Sequence, residues 1–294
     1  MPTLSEHTRI VNILITLGMR TPDFGHPLED IGYTLDRLGP TAVLPDKSSV
    51  QPDVTFKSHE KKHLLMSEAK SGGVDNAQAD GFKKITPEII ASQGLTSLPA
   101  SGLTSELCYV CSSGNKETVL RNEKEHHHGF PVLVYEASIL RKDGSTSAFQ
   151  DGRLENLFAK GIVFAKPPPH NNYPFGEGDT KGWIAFHVLA AISELQVLGK
   201  SSFTERDLML KIHPLLDYMD KKTQAYIHRV ISDVLNELNL REDDDRFIIK
   251  RLRGQEWQVL KFKRTKQLAE MLMKIADEFD AKPDYEDLAS FAAP

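Results

Sequence analysis

The chain has 294 residues, 40% hydrophobic and 26% charged, with a formal net charge of −5. That is the composition of a folded soluble chain of about two domains at roughly 150 residues each, and it excludes a wholly disordered or collagen-like polymer. No apolar run reaches the about 18 residues of a membrane span, the opening MPTLSEHTRI lacks the parts of a secretory signal, and Cys108 and Cys111 alone make no disulfide framework, so a reducing cytoplasm is expected.

In chain order, residues 5–19 read as a helix with Ser5 as N-cap and Ile10, Val11, Leu14 and Leu17 on one stripe. A second helix is expected over 26–38, with Leu28, Ile31, Leu35 and Leu38 on one face and Gly39 as its stop. Strands follow at 41–44, 52–57 and 63–70, then a helix at 75–85. Two further strands read at 106–112 and 130–136, with a polar surface loop over 113–129 between them and a helix at 151–160. This order implies an α/β core with a mixed sheet over residues 1–164. Residues 165–181 are rich in Pro, Gly and Asn and read as a linker. Residues 182–280 then read as helices at 182–198, 204–213 and 221–238, strands at 246–252 and 256–262, and a helix at 264–280, with a tail at 281–294.

The informative segment is Pro52-Asp53 followed, after fourteen intervening residues, by Glu68-Ala69-Lys70. Residues two apart on a strand share a face, so Glu68 and Lys70 project together. Leu64, Leu65 and Met66 make that strand apolar on both faces, hence central. Asp53 heads the neighbouring strand of a hairpin, so two carboxylates and an ammonium converge. Such charges are costly to bury unpaired and are expected to cluster. The trio suits phosphodiester hydrolysis. Carboxylates hold Mg2+, a hard cation that keeps several waters. The cation activates water, and a lysine beside it neutralises developing charge.

The (D/E)xK triplet alone is a weak signal, because the chain contains five of them. Those at Glu60, Asp179, Asp220 and Asp280 lie in a turn, the linker, a helix start and the tail. Only Glu68-Ala69-Lys70 ends an apolar strand with a Pro-Asp strand before it and a helix after it. With that context, the segment resembles the PD-(D/E)xK nuclease superfamily, the restriction-endonuclease-like fold, over roughly residues 20–140. The resemblance implies that Asp53, Glu68 and the Ala69 carbonyl hold Mg2+ or Mn2+ and that Lys70 orients or activates the attacking water. Glu29, in the segment similar to the family's first core helix, would complete the shell, with Asp30 or Glu6 as alternatives. Gln78 in Gln78-Ala79-Asp80-Gly81-Phe82 is similar to the Gln-x-x-x-Tyr element of the exonuclease-like branch, with Phe82 in place of Tyr.

Two other patterns stand out in the sequence. Cys108-x-x-Cys111 with His126, His127 and His128 invites zinc, but an odd spacing on a strand sends the thiols to opposite faces, so two small strand residues and a polar loop are expected instead. Residues 246–266 hold eight Lys/Arg against Glu256 alone. The C-terminal order of three helices and a two-strand wing resembles a winged helix-turn-helix. In that reading Lys221, Lys222, Gln224 and His228 (with Ser232 beside them) face the major groove, and Lys250, Arg251, Arg253, Lys261 and Lys263 meet phosphates. The acidic run 242–245 runs against a uniformly basic face.

The expected function is therefore a Mg2+-dependent DNA endonuclease with its own DNA-binding module, a layout similar to nucleases of mobile elements or of restriction and phage defence. One site cuts one strand, so a double-strand break implies a homodimer or a partner subunit. The alternatives are a non-catalytic winged-helix regulator and an adaptor whose wing binds protein.

Overall fold

The computed structural model describes residues 4–19, 25–166, 168, 172–176, 178–241, 246–262 and 268–280. Two compact bodies are formed, one drawn from residues 9–173 and 217–224, the other from 4–8, 174–216 and 225–280. Among the described residues, no helix is long and apolar enough to cross a membrane.

The first body is a mixed α/β layer structure. Helix α1 (Glu6–Gly18), which enters this body at Arg9, is capped as expected, with Ser5 Oγ accepting the Thr8 amide at 3.1 Å. Its Ile10, Val11, Leu14 and Leu17 are all buried. Gly18 lets it close on the sheet, since a Cβ there would meet the Phe56 ring at 2.6 Å. Strand β1 (Thr34–Leu38) follows, then a small hairpin of β2 (Ala42–Val43) and β3 (Ser49–Val50), and the long hairpin of β4 (Val54–Ser58) and β5 (His63–Lys70). After β5 come α2 (Asn76–Lys83), α3 (Pro87–Ser92), β6 (Thr104–Ser112), α4 (Lys116–His126), β7 (Val132–Glu136), β8 (Ile139–Lys142), α5 (Gly152–Lys160) and β9 (Ile162–Val163).

The sheet runs β1-β4-β5-β6-β7-β8-β9. The steps β1/β4/β5 are antiparallel, β5/β6/β7 parallel, and β7/β8/β9 antiparallel. Parallel neighbours need long crossovers, and α2–α3 and α4 supply them. All eight residues of β5 are buried, as a central strand covered on both faces must be. Leu64 and Met66 of β5 pack in one apolar cluster with Ala79 and Phe82 of α2, Val119 of α4 and Tyr109 of β6.

Two expectations for this body are corrected. Residues 26–38 do not form a helix: Glu29–Ile31 is a single 3-10 turn, ended by Gly32 at φ 82°, and 34–38 is strand β1. Pairing of Leu35 with Phe56 and of Leu38 with Val54 outweighs the helical spacing of the leucines. The expected loop 113–129 contains helix α4.

The second body carries α6 (Lys181–Val197), β10 (Ser202–Thr204), α7 (Glu205–Ile212), α8 (Lys221–Asn239), the hairpin of β11 (Phe247–Arg251) and β12 (Glu256–Phe262), and α9 (Leu268–Asp280). Its antiparallel sheet has the order β10-β12-β11. A capping box starts α7: Thr204 Oγ1 accepts the Asp207 amide while Asp207 accepts the Thr204 amide. The first turn of α8, residues 221–224, groups with the first body, where Asp220 Oδ2 accepts the Thr41 amide at 3.1 Å and Gln51 Nε2 reaches Thr223 Oγ1 at 3.1 Å. The expected linker and tail fall partly or wholly outside the described residues.

Candidate active site

The β4/β5 hairpin brings the predicted trio to one end of the sheet. Val54 pairs with Ser67, and the Asp53 amide donates to the Ser67 carbonyl at 3.0 Å, so Asp53 lies beside Glu68. The Asp53 carboxylate turns toward β5, its Oδ2 accepting the Ala69 amide at 2.7 Å. Glu68 and Lys70 share the face of β5 that carries Leu64 and Met66, and each is only 6% exposed. At that depth a charge needs partners. Lys70 Nζ lies 3.1 Å from Glu68 Oε1 and donates to Gln78 Oε1 at 2.7 Å. Gln78 Nε2 donates to the same Glu68 oxygen at 2.8 Å. The Gln78 amide thus bridges the ammonium and the carboxylate with the correct end toward each.

Helix α2 is aimed by its own sequence. Asp75 caps it, accepting the Ala77 and Gln78 amides at 2.8 and 3.3 Å. Gly81 leaves room for β3, since a Cβ there would lie 2.4 Å from Val50 Cγ1. On the other side of Lys70, the Tyr109 ring centroid is 5.3 Å from Nζ. Burial, with Glu123 and Glu68 nearby, pushes the Tyr109 phenol well above its ordinary pKa. Tyr109 was missed by the sequence reading. It stands opposite Glu68 in the parallel β5/β6 register, which a crossover of two helices sets and no local spacing reveals.

Among the described residues, no three His, Cys, Asp or Glu side chains group to hold a metal ion. The donors on hand are the Asp53 and Glu68 carboxylates and the Ala69 carbonyl. An oxygen-only set of that size fits a hard cation that keeps several waters, such as Mg2+, and suits zinc poorly. Glu29 does not join that set as predicted: its helix is a 3-10 turn, and it completes no three-carboxylate group with Asp53 and Glu68. The cysteines behave as expected. Both are buried and outside any disulfide, and Cys108 pairs with Ser67 Oγ at 3.4 Å on the sheet face opposite Lys70.

Lys221, Lys222, Gln224 and His228 all lie on helix α8. Lys221, Lys222 and Gln224 group with the first body, Lys222 Nζ lying 3.5 Å from Gln51 Oε1 and Gln224 Nε2 donating to the Met219 carbonyl. His228 belongs to the second body and is engaged by Glu205. That buried carboxylate gathers His228 Nε2 at 2.7 Å, Trp257 Nε1 at 3.1 Å and the Ser232 hydroxyl. A buried acid demands such partners, and His228 and Ser232 supply them. Lys250, Arg251, Arg253 and Lys261 are exposed on the hairpin, with Arg251 held over the Trp257 ring at 5.5 Å. Lys263 and the acidic run 242–245 lie outside the described residues.

A profile of the MJECL32 domain matches residues 6–170. The chain is 27% identical over 107 residues to the "Uncharacterized protein MJECL32" of Methanocaldococcus jannaschii, a stretch covering 32% of this chain and 24% of that relative. The match therefore spans about a quarter of the relative's length. No solved structure matches. With more than half of its length matched, including all of the seven-stranded sheet and the Asp53–Glu68–Lys70–Gln78 cluster, the chain belongs to the MJECL32 domain family.

Proposed function

We propose that the first body is a metal-dependent nuclease of the PD-(D/E)xK type acting on DNA. The observation that carries this reading is the convergence of Asp53, Glu68, Lys70 and Gln78, with Gln78 bridging Glu68 and Lys70. The element order supports it. A helix, three antiparallel strands, a helical crossover and a parallel strand put Pro-Asp and Glu-x-Lys on adjacent strands, as in that superfamily.

Asp53, Glu68 and the Ala69 carbonyl would hold Mg2+ or Mn2+. When bound, the cation would supply Lewis-acid polarisation of a phosphate oxygen and a water of lowered pKa. The chain's own residues do the rest. Asp53 is fixed by the Ala69 amide, so its second oxygen has a set direction. Lys70 has three N–H donors, and Glu68 and Gln78 take two. The third meets a phosphate oxygen and offsets charge as it builds during in-line attack. Gln78 keeps Lys70 and Glu68 from drifting apart.

The second body supports a DNA-binding role in a different way. Helix, strand, helix, helix and hairpin, with β10 pairing β12, is the order of a winged helix-turn-helix. Exposed Lys250, Arg253 and Lys261 on its hairpin would meet phosphates. One observation favours a second reading for this body. His228 and Ser232 both partner the buried Glu205, a structural task that leaves them less free to read bases and suits an adaptor that binds protein.

The test is cleavage of supercoiled plasmid with Mg2+ or Mn2+, wild type against Lys70→Ala. Metal-dependent nicking or linearisation that the variant loses is expected. Cleavage retained by Lys70→Ala, or none by a folded wild type with either metal, overturns the reading.

A further inference from the structure

We propose that Tyr109 is a positioning residue for Lys70, its ring face holding the ammonium where the reaction needs it. This rests on the nuclease reading of the site above. Tyr109 is fully buried on β6, on the cluster face that also holds Leu107 and Cys111. Its ring lies edge-to-face with Phe130, centroids 5.3 Å apart at 87°, and with His128, 6.4 Å apart at 82°. These contacts fix the plane of the ring. Lys70 Nζ stands 5.3 Å from its centroid. An aromatic face carries negative potential and attracts a cation, most strongly where water is excluded, and Lys70 is buried. Among the described residues the Tyr109 hydroxyl has no hydrogen-bond partner, so the role falls to the ring.

A lysine side chain is long and loses much rotamer freedom when held in one place. Two contacts hold Nζ from the carboxylate side, Glu68 Oε1 and Gln78 Oε1. A cation drawn to Glu68 competes with Lys70 for that carboxylate. Gln78 and the Tyr109 face are the contacts that survive the competition. The ring therefore matters most in the loaded site, and its loss falls on kcat more than on KM.

The test replaces Tyr109 by Phe, by 3,4,5-trifluorophenylalanine and by Leu in the full chain, with plasmid cleavage in Mg2+ as one readout. The second readout is the Lys70 side-chain ammonium signal in NMR, which does not depend on activity. Phe is expected to retain kcat within about twofold, and the trifluoro ring, of nearly the same shape but with its negative face removed, to lose roughly tenfold at unchanged KM. The Lys70 signal is expected to broaden and exchange faster with the trifluoro ring than with Phe. Equal kcat and equal Lys70 signals in the Phe and trifluoro variants would overturn the proposal, whether or not Leu folds. If no variant cleaves and wild type does not either, the nuclease reading fails by itself. The Lys70 signal still decides whether Tyr109 holds the ammonium.

Discussion

The Tyr33 hydroxyl lies 2.7 Å from His63 Nδ1 and donates to Asp151 Oδ2 at 2.8 Å. A phenol has one proton, so the proton in the first bond belongs to Nδ1. His63 Nε2 then faces Glu106 Oε1 at 3.4 Å. Burial lowers the His63 pKa, which favours the neutral ring, and raises that of Glu106. Tyr33→Phe would strand the buried Nδ1–H and remove one donor from Asp151. A loss of about 1–3 kcal/mol of stability is expected by chemical denaturation. A change below about 0.5 kcal/mol would mean the Tyr33 hydroxyl holds neither partner.

Gly81→Ala tests packing against propensity. Alanine in mid-helix is favoured over glycine by about 1 kcal/mol. The added Cβ would meet Val50 Cγ1 at 2.4 Å and Leu44 Cδ1 at 3.4 Å. Valine is stiff at χ1 and Val50 is paired in β3, so relief comes by shifting α2. Overpacking of that kind costs about 1–3 kcal/mol, enough to outweigh the propensity gain. Net destabilisation is expected, with lower cleavage because Gln78 rides on the same helix. A variant more stable than wild type in urea would show that the hairpin yields freely.

Where the pattern of one segment decided the outcome, the sequence was readable. Strand β5 was legible because its residues are apolar on both faces and end in Glu68-Ala69-Lys70. Gln78 was visible only through the likeness of Gln78-Ala79-Asp80-Gly81-Phe82 to the Gln-x-x-x-Tyr element. Residues 26–38 misled because Leu28, Ile31, Leu35 and Leu38 keep helical spacing, while Gly32 at φ 82° and pairing with β4 decide the structure. Helix α4 hid because its buried positions are Val119 and a glutamate, Glu123, which leaves no apolar stripe to detect. Glu123 is buried to accept the Gly129 and Phe130 amides at 2.6 and 3.0 Å, a tertiary need no periodicity encodes. The tie of His228 and Ser232 to Glu205, distant in sequence, is hidden for the same reason.

The second body carries a pH-dependent weakness. His187 and His213 flank the Phe175 ring, with centroid distances of 6.1 and 4.6 Å. Trp183 and Phe186 enclose His187 further. Burial lowers His187 to about 4 and His213 to about 3. In the unfolded chain both take a proton near 6.5. Between about pH 6.5 and 4 the unfolded state binds more protons, so stability falls as pH falls. The slope approaches about 2.7 kcal/mol per pH unit, two protons at 1.36 kcal/mol each. Urea denaturation followed from pH 7 to 4 should show this decline, and a His187→Leu/His213→Leu double variant should flatten it. An equally steep decline in that variant would place the effect elsewhere.

The hairpin separates the DNA-binding and adaptor readings of the second body. Each phosphate neutralised by a basic side chain adds about 0.9 to the slope of log affinity against log salt. If Lys250, Arg253 and Lys261 meet DNA, replacing all three by alanine should reduce that slope by about 2–3 on a short duplex. His228→Ala should behave differently. It takes the 2.7 Å partner from buried Glu205, so it should lower stability by about 1–3 kcal/mol and leave the salt slope unchanged. A triple variant with the wild-type slope would remove the hairpin from the DNA interface and favour the adaptor. A reduced slope in His228→Ala, with its fold intact, would instead put α8 back against DNA.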